Sequence, residues 1–247
     1  MEGVNSIMVT GTNRGIGLEL VRQLTTGPTP PKFIIATCRN PATAEELQQL
    51  AKANSSIHVI ALDVANEESF QPVYEQVEKI VGDVGLDILF NNAGILCSET
   101  LDQVTSENVM KSFKINTVAP LILSKMFLPL IRRAAARKPR TKQVIVNVSS
   151  QLSSMADNIL PGLVYPYKLS KVALNSVSVQ MADDLRKDGI IVFPLCPGHV
   201  KTDMGGKESG EITAEECVSG IINLLNKIKL EVHSGKFYNY AGVLKKW

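Results

Sequence analysis

The stretch SIMVTGTNRGIG, residues 6–17, carries an apolar strand directly into a glycine-rich turn and the start of a helix. Glycine tolerates backbone angles closed to other residues and lets the chain approach a pyrophosphate closely, while a helix N-terminus offers free N–H groups. The stretch therefore predicts a dinucleotide site, and the simpler alternative is a tight turn without a ligand. The candidate binding residues of this turn are Gly11, Asn13, Arg14, Gly15, Ile16 and Gly17.

Outward from this stretch, apolar runs rich in β-branched residues alternate with segments of helical period along the whole chain. Continuous apolar strands are typical of a parallel sheet buried on both faces. The alternation predicts an α/β fold, a Rossmann-type doubly wound parallel sheet in three layers. The predicted strands are Ser6–Thr10, Phe33–Thr37, His58–Leu62, Asp87–Phe90, Val144–Val148 and Ile190–Leu195, with a last one at Lys236–Asn239. The predicted helices are Gly15–Thr26, Thr43–Ala53, Glu67–Val81, Ser106–Ala135, Lys168–Lys187 and Ala214–Lys227.

The composition of the chain argues against several classes of function. The net charge of +2 over 247 residues gives no bulk argument for nucleic acid or an anionic membrane as partner. No signal peptide is evident, and no apolar run reaches the ~18 residues of a membrane span. Four scattered cysteines are typical of reduced thiols in a cytoplasmic protein, and three histidines without ligand spacing predict no metal site.

The domain organisation is simple, because no linker, repeat or low-complexity tract interrupts the chain. Residues 1–247 are predicted to form one domain, with a cofactor half over about 1–140 and a catalytic and substrate half over about 141–247. A local basic cluster is interpreted as a solvated helix end and loop, with an interaction patch as the alternative. Its members are Arg132, Arg133, Arg137, Lys138, Arg140 and Lys142.

The end of the second predicted strand bears on the choice of nicotinamide cofactor. NAD sites usually place an acidic residue there to hold the ribose hydroxyls, whereas this chain has Thr37-Cys38-Arg39-Asn40. Without a carboxylate to repel a 2′-phosphate, Arg39 can pair with that group, and Arg14 in the glycine turn can reach it as well. The pattern predicts NADP(H) rather than NAD(H).

Three further strand ends supply candidate cofactor contacts. Asp63-Val64 places a carboxylate where an adenine amino group could donate to it. Asn91-Asn92-Ala93-Gly94 combines small residues, which let backbone pass close to a flat ligand, with amides that can brace neighbouring loops. After the sixth strand, a Pro-Gly turn precedes backbone that could fix a carboxamide and a threonine that could reach a phosphate. The candidates there are Pro197, Gly198, Val200 and Thr202.

A tyrosine and a lysine four residues apart mark the catalytic candidate. On a helix, Tyr167 and Lys171 share one face, with Cβ atoms roughly 5–6 Å apart. A nearby ammonium favours the phenolate, so we expect Lys171 to lower the pKa of Tyr167 toward a range where the phenol exchanges protons. Considered alone, the pair is more typical of an ordinary helix surface.

Two other polar positions join this candidate site. Ser149-Ser150 follows the fifth strand, at the sheet edge where α/β folds bind ligands, and could hold a carbonyl oxygen beside the tyrosine. Asn116 lies inside a long predicted helix, where asparagine is unfavourable. It either faces solvent or organises a water that links Lys171 to bulk solvent.

Taken together, these motifs resemble the short-chain dehydrogenase/reductase family, and within it the Sniffer-type carbonyl reductases. The matching elements are TGTNRGIG, TCRN, Asp63, FNNAGI, Asn116, Ser149-Ser150, the Tyr167/Lys171 pair and PGHVKTDMGG, in the family's order. The resemblance implies a Ser–Tyr–Lys–Asn catalytic set: Ser150 rather than Ser149 orients the substrate and Tyr167 transfers the proton. Lys171 lowers the phenol's pKa and binds the nicotinamide ribose, and Asn116 holds a relay water.

The resemblance also implies the reaction. Hydride passes from the cofactor to a small carbonyl substrate, a ketone, aldehyde or quinone, or returns from an alcohol. The short segment Gly205–Ile212, where many members carry a longer lid, predicts broad specificity. A steroid or lipid alcohol dehydrogenase and a non-catalytic NADP(H)-binding sensor or scaffold stay open as alternatives. A homodimer formed through the two long helices is also open.

Overall fold

One seven-stranded, fully parallel sheet organises the molecule. The computed structural model describes residues 1, 3–137 and 142–247. The strands lie in the order β3-β2-β1-β4-β5-β6-β7, so the chain winds outward in both directions from β1. This is the predicted Rossmann-type sheet. The strands are β1 Ser6–Thr10, β2 Phe33–Cys38, β3 Ile57–Ala61, β4 Ile88–Asn91, β5 Gln143–Val148, β6 Ile190–Cys196 and β7 Tyr238–Asn239.

Helices cover both faces of the sheet. They are α1 Gly15–Thr26, α2 Glu45–Ala53, α3 Phe70–Val81, α4 Ser106–Phe113, α5 Ala119–Arg137, α6 Tyr165–Leu185, α7 Ala214–Lys227 and α8 Leu230–His233. Alternate strand residues point to opposite faces, so Ile7 and Val9 pack with α1, α2 and α7, while Met8 packs with α3, α5 and α6. The result is a three-layer domain with two apolar cores, one on each side of the strands.

The long predicted helix Ser106–Ala135 is interrupted. Lys114–Val118 forms a π-helical turn between α4 and α5, and Asn116 lies in it. A π turn inserts one extra residue into a helix and is common at functional sites. The interruption gives Asn116 a position that a regular helix would not provide.

Helix α6 begins three residues earlier than predicted, at Tyr165 instead of Lys168. It follows Val164, whose φ of 54° lies in the left-handed region that β-branched residues rarely adopt. Asn158 and Leu160 in the preceding loop also have positive φ. Strained backbone of this kind persists where surrounding contacts hold it, and it tends to occur near functional sites.

The helical run Ser106–Arg137 is long and apolar enough to span a membrane by length and composition. By this measure the prediction that no apolar run reaches the length of a membrane span is not met. In the fold, 56% of the most apolar 18-residue stretch of this helical run is buried inside the protein. Leu123 and Phe127 belong to the core that covers one sheet face. The run therefore has the contacts of a core helix.

Two of the basic cluster's members are paired with acids. Arg132 contacts Asp188 and Arg133 contacts Glu78, each at 2.8 Å. The Lys142 ammonium contacts the backbone carbonyls of residues 225 and 226 at the end of α7. Lys138 and Arg140 lie outside the described residues. The paired arginines favour the solvated interpretation of this cluster over an interaction patch.

Candidate active site

A crevice of about 420 Å³ opens at the carboxyl ends of the strands, across β1 and β4, where the strand order reverses. Such switch points are where open α/β sheets bind ligands. Most of the predicted cofactor residues line it. They are Gly11, Asn13, Arg14, Gly15, Ile16, Arg39, Asp63, Val64, Asn92, Ala93, Gly94, Tyr167, Lys171, Pro197 and Thr202. Gly17, Gly198 and Val200 do not line the crevice.

The glycine turn is held from behind by packing. A Cβ at Gly17 would lie 2.2 Å from the Gly11 carbonyl oxygen, so this position supports the turn instead of facing a ligand. Asn92 Nδ2 donates to the carbonyls of Thr10 at 2.9 Å and Gly11 at 3.1 Å. Helix α1 begins without a side-chain cap, so no capping side chain occupies its first N–H groups. The turn is therefore a preformed cradle for an anionic group.

The outer end of the crevice is basic where β2 ends. Cys38, Arg39 and Asn40 line it there, and no carboxylate stands among them. Asp63 also lines the crevice, and its Oδ1 accepts from the Ala65 backbone N–H at 3.0 Å. These residues fit a nucleotide bearing a 2′-phosphate better than one with free ribose hydroxyls.

Arg14 lines the same crevice but has an acidic neighbour. Its Nη1 lies 3.0 Å from Asp203 Oδ2, in the loop that follows β6. The Asp203 side chain also contacts Lys207. The prediction that Arg14 reaches a 2′-phosphate thus meets a competing carboxylate that the sequence analysis did not include.

Two of the other predicted catalytic side chains, Ser150 and Lys171, lie near Tyr167. The Ser150 hydroxyl lies near enough to the Tyr167 phenol to lower its pKa, and the Lys171 Nζ lies 5.7 Å from the centre of the Tyr167 ring. Ser150 Oγ also accepts from the Leu152 backbone N–H, which fixes its direction. Ser149 lines the crevice and Ser150 does not, although the Ser149 Oγ donates to Asn175 Oδ1 at 2.6 Å. The choice of Ser150 over Ser149 as the substrate-orienting serine therefore stays a prediction.

The pKa of Tyr167 shifts in the direction opposite to the expected one. Burial raises it to about 12, more than the neighbouring Ser150 hydroxyl lowers it. Burial likewise lowers the pKa of Lys171 to about 7. The Lys171 ammonium donates to the Val148 carbonyl at 2.6 Å and not to the phenol. Both residues are almost fully buried, and a desolvated site disfavours both the phenolate and the ammonium. The expected lowering of the Tyr167 pKa by Lys171 is therefore absent from the protein alone.

Asn116 is fully buried, so the solvent-facing alternative is wrong. Its side chain accepts from the Ile95 backbone N–H at 2.9 Å and donates to the Ile95 carbonyl at 2.9 Å and Ser170 Oγ at 3.0 Å. A Cβ added at Gly94 would lie 3.0 Å from Asn116 Oδ1 and 3.7 Å from Lys171 Nζ. Gly94 thus lies between the Asn116 amide and the Lys171 ammonium, and its missing side chain leaves a short gap between them. The relay water assigned to Asn116 stays a prediction.

Sequence reasoning missed two groups of residues. The first group is Ser153 and Asn175, which form a buried hydrogen-bonded set with Ser149 and which no motif indicated. The remaining crevice residues mostly adjoin predicted ones in sequence. They are Cys38, Asn40, Thr43, Leu62, Ala65, Ile95, Ile115, Val148, Asp203 and Met204, and Ser149, the predicted alternative to Ser150, lines the crevice as well.

A second, open groove of about 660 Å³ lies between α1 and α7 and shares no lining residue with the crevice. Its Glu19 and Arg22 side chains are paired with each other. Within the described parts of the chain, no group of three or more His, Cys, Asp or Glu side chains is arranged to hold a metal ion. The chemistry of the described residues is therefore concentrated in the crevice.

Comparison with known proteins places this site in a family. A family profile described as short chain dehydrogenase matches residues 5–212. The chain belongs to the short-chain dehydrogenase/reductase family. The carbonyl reductase Sniffer of D. melanogaster is a similar solved structure, with a TM-score of 0.95 and 37% identity over 99% of this chain and 100% of that one.

Two further relatives of this short-chain dehydrogenase/reductase support the same assignment. An NADPH-bound carbonyl reductase from chicken fatty liver has a TM-score of 0.94 and 36% identity over 99% of each chain. An uncharacterized oxidoreductase of Schizosaccharomyces pombe is 30% identical over 265 residues, 98% of each chain. The predicted family, fold and oxidoreductase class are confirmed.

Proposed function

We propose that this short-chain dehydrogenase/reductase reduces small ketones, aldehydes and quinones with NADPH, using Tyr167 as the proton donor. The observation that carries the proposal is the buried Tyr167 phenol at the carboxyl edge of the sheet, with Ser150 beside it and the Lys171 Nζ 5.7 Å from its ring centre. Its raised pKa keeps the phenol protonated at neutral pH. A protonated phenol is the form that gives a proton to a carbonyl oxygen, so the site favours reduction.

The protein's part in the reaction follows from these side chains. Ser150 and Tyr167 offer two hydroxyl donors to one substrate oxygen, which stabilises negative charge as it develops there. Tyr167 then gives its proton to that oxygen. Lys171, with a pKa of about 7, is partly protonated at neutral pH and can return a proton to the phenolate through an intervening hydroxyl or water.

NADPH fits the residues of the crevice and, when bound, supplies the hydride. The uncapped α1 N-terminus and the glycine turn suit the pyrophosphate, Arg39 suits the 2′-phosphate, and Asp63 suits the adenine. The similar chicken enzyme carries NADPH in its structure. This supports the same cofactor for the present chain.

A substrate panel tests the activity. We expect the purified protein to oxidise NADPH with several ketones, aldehydes and quinones, because the short loop of residues 205–212 predicts broad specificity. The absorbance of NADPH measures this turnover. That loop is closed where Lys201 N–H donates to the Ile212 carbonyl at 2.9 Å. A ketosteroid and a long-chain lipid ketone belong in the panel. Turnover of only these two would favour the steroid or lipid alternative, and binding of NADPH without any turnover would favour the sensor or scaffold.

Replacing Arg39 with Asp tests the cofactor assignment. We expect the ratio of NADPH to NADH affinities to fall by about 10- to 100-fold, because the change removes a charge-assisted phosphate contact and adds a repulsive carboxylate. The measurement is the dissociation constant of each cofactor by titration calorimetry. Lys52→Asp, an exposed change of equal charge on α2 outside the crevice, is the matched control. An unchanged ratio in Arg39→Asp would exclude Arg39 from the phosphate site.

Two further properties stay predictions. Apolar side chains at Met110, Phe113, Leu121 and Leu169 are exposed on α4, α5 and α6, the helices through which we propose a homodimer. The cytoplasmic location proposed from the scattered cysteines is independent of the catalytic argument.

A further inference from the structure

Three charged side chains at the edge of the crevice form a chain that no catalytic step uses. Asp203 lies in its centre, with Oδ2 at 3.0 Å from Arg14 Nη1 and Oδ1 at 3.1 Å from Lys207 Nζ. Arg14 comes from the glycine turn, and Asp203 and Lys207 come from the loop after β6. Arg14 and Asp203 both line the crevice, so their ion pair joins two of its walls.

The Arg14–Asp203 pair is weakly fixed. The Arg14 side chain is 65% exposed and that of Asp203 is 41% exposed. Exposed pairs contribute little net stability, so the guanidinium can exchange partners at small cost. A phosphate dianion is a stronger partner for an arginine than a single carboxylate, and it accepts two parallel hydrogen bonds.

Lys207 makes this exchange easier. Its contact with Asp203 comes first among the causes that keep the pKa of that carboxyl below its usual value, followed by Arg14. Asp203 is therefore ionised at neutral pH and keeps a cationic neighbour when Arg14 leaves. Without Lys207, the carboxylate would depend on Arg14 alone and hold it more firmly.

We propose that Asp203 competes with the 2′-phosphate of NADPH for Arg14 and so limits how strongly the protein prefers NADPH over NADH. Lys207 opposes this effect by supplying Asp203 with a second cation. The inference rests on the proposed function, which places NADP(H) in the crevice. Asp203 thereby becomes a specificity-determining residue that acts through Arg14.

Cofactor binding to the whole purified chain tests the proposal without any turnover. Dissociation constants for NADPH and NADH are measured by titration calorimetry at low salt, and the readout is their ratio. We expect Asp203→Asn to raise the preference for NADPH by about two- to fivefold, the range of an exposed ion pair. Lys207→Gln is expected to lower it by a similar factor. Taking the ratio cancels the general attraction or repulsion that both cofactors share.

A double-mutant cycle with Arg14→Met isolates the route of the effect. In that background Asp203→Asn is expected to leave the ratio unchanged, because no guanidinium remains to be released. The inference is overturned if Asp203→Asn lowers the preference for NADPH over NADH or leaves it constant. It is also overturned if Asp203→Asn raises this preference equally with and without the Arg14→Met change. A wild type that binds NADH more tightly overturns the proposed function as well, whereas a wild type that prefers NADPH leaves the proposed function standing.

Discussion

Replacing Tyr167 with Phe is expected to lower kcat for carbonyl reduction by about 10²- to 10⁴-fold, the usual contribution of a positioned proton donor. The change removes one hydroxyl from a site that is 9% exposed, and the ring keeps its packing. The dissociation constant for NADPH should change by less than about threefold, because the cradle at the glycine turn is untouched. Steady-state NADPH oxidation and calorimetric binding measure the two quantities.

A matched control lies two residues away on the same helix. Tyr165 makes its described hydrogen bond through its backbone N–H to the Glu99 carbonyl, so Tyr165→Phe should keep full activity. A Tyr167→Phe variant that binds NADPH and retains wild-type kcat would contradict the role of the phenol. Equal losses in both variants would indicate a structural effect on the start of α6.

The pH dependence of the wild type follows from the same phenol. Since burial raises the pKa of Tyr167 to about 12, the donor stays protonated throughout the neutral range. Turnover in the reductive direction should not decline through loss of this proton below about pH 10. Oxidation of an alcohol needs the phenolate, and its rate should still rise above about pH 9.

Local sequence patterns were sufficient for much of the fold. Helix α1 and strand β1 have the predicted bounds, since an apolar run followed by glycines defines both ends of the turn. The sequence placed Tyr167 and Lys171 on one helix, and the structure does the same. These features depend on residues within a few positions of each other, which is the range that periodicity describes.

Features that depend on distant partners were not predictable. The π-helical turn holds Asn116 against Ile95 and Ser170, which lie 21 and 54 residues away. The direction of the Tyr167 pKa shift depends on how deeply the fold buries the phenol and on the Lys171 ammonium pointing at Val148. Arg14 and Asp203 lie 189 residues apart, so no spacing rule links them.

Replacing Lys171 with Met is expected to reduce kcat by about 10²- to 10³-fold while making the folded protein more stable at neutral pH. The catalytic loss follows because the Lys171 Nζ, 5.7 Å from the centre of the Tyr167 ring, is the proposed proton reservoir for the phenol. The stability gain follows because a lysine that is 4% exposed keeps part of its charge buried at neutral pH. We expect the free energy of unfolding to rise by about 1–3 kcal/mol, after allowing for the lost hydrogen bond to Val148.

The sign of the pH dependence makes this test specific. The pKa of Lys171 is about 7 in the folded protein, against 10.5 for an unperturbed lysine, so folding releases a proton between these values. The contribution of Lys171 to stability is thus complete above about pH 10.5 and is lost as the pH falls through about 7. The advantage of Lys171→Met over wild type should therefore be largest at about pH 7 and below, and shrink toward about pH 10.

Urea unfolding of both proteins between about pH 6 and 10 measures this difference, with Lys125→Met as the control on an exposed lysine of α5. The control should show no comparable pH-dependent gain. A Lys171→Met variant that is less stable at neutral pH, or an advantage independent of pH, would show that the ammonium is not desolvated. Joint loss of turnover and gain of stability would instead mean that the fold tolerates a buried cation beside Tyr167 because proton transfer requires it there.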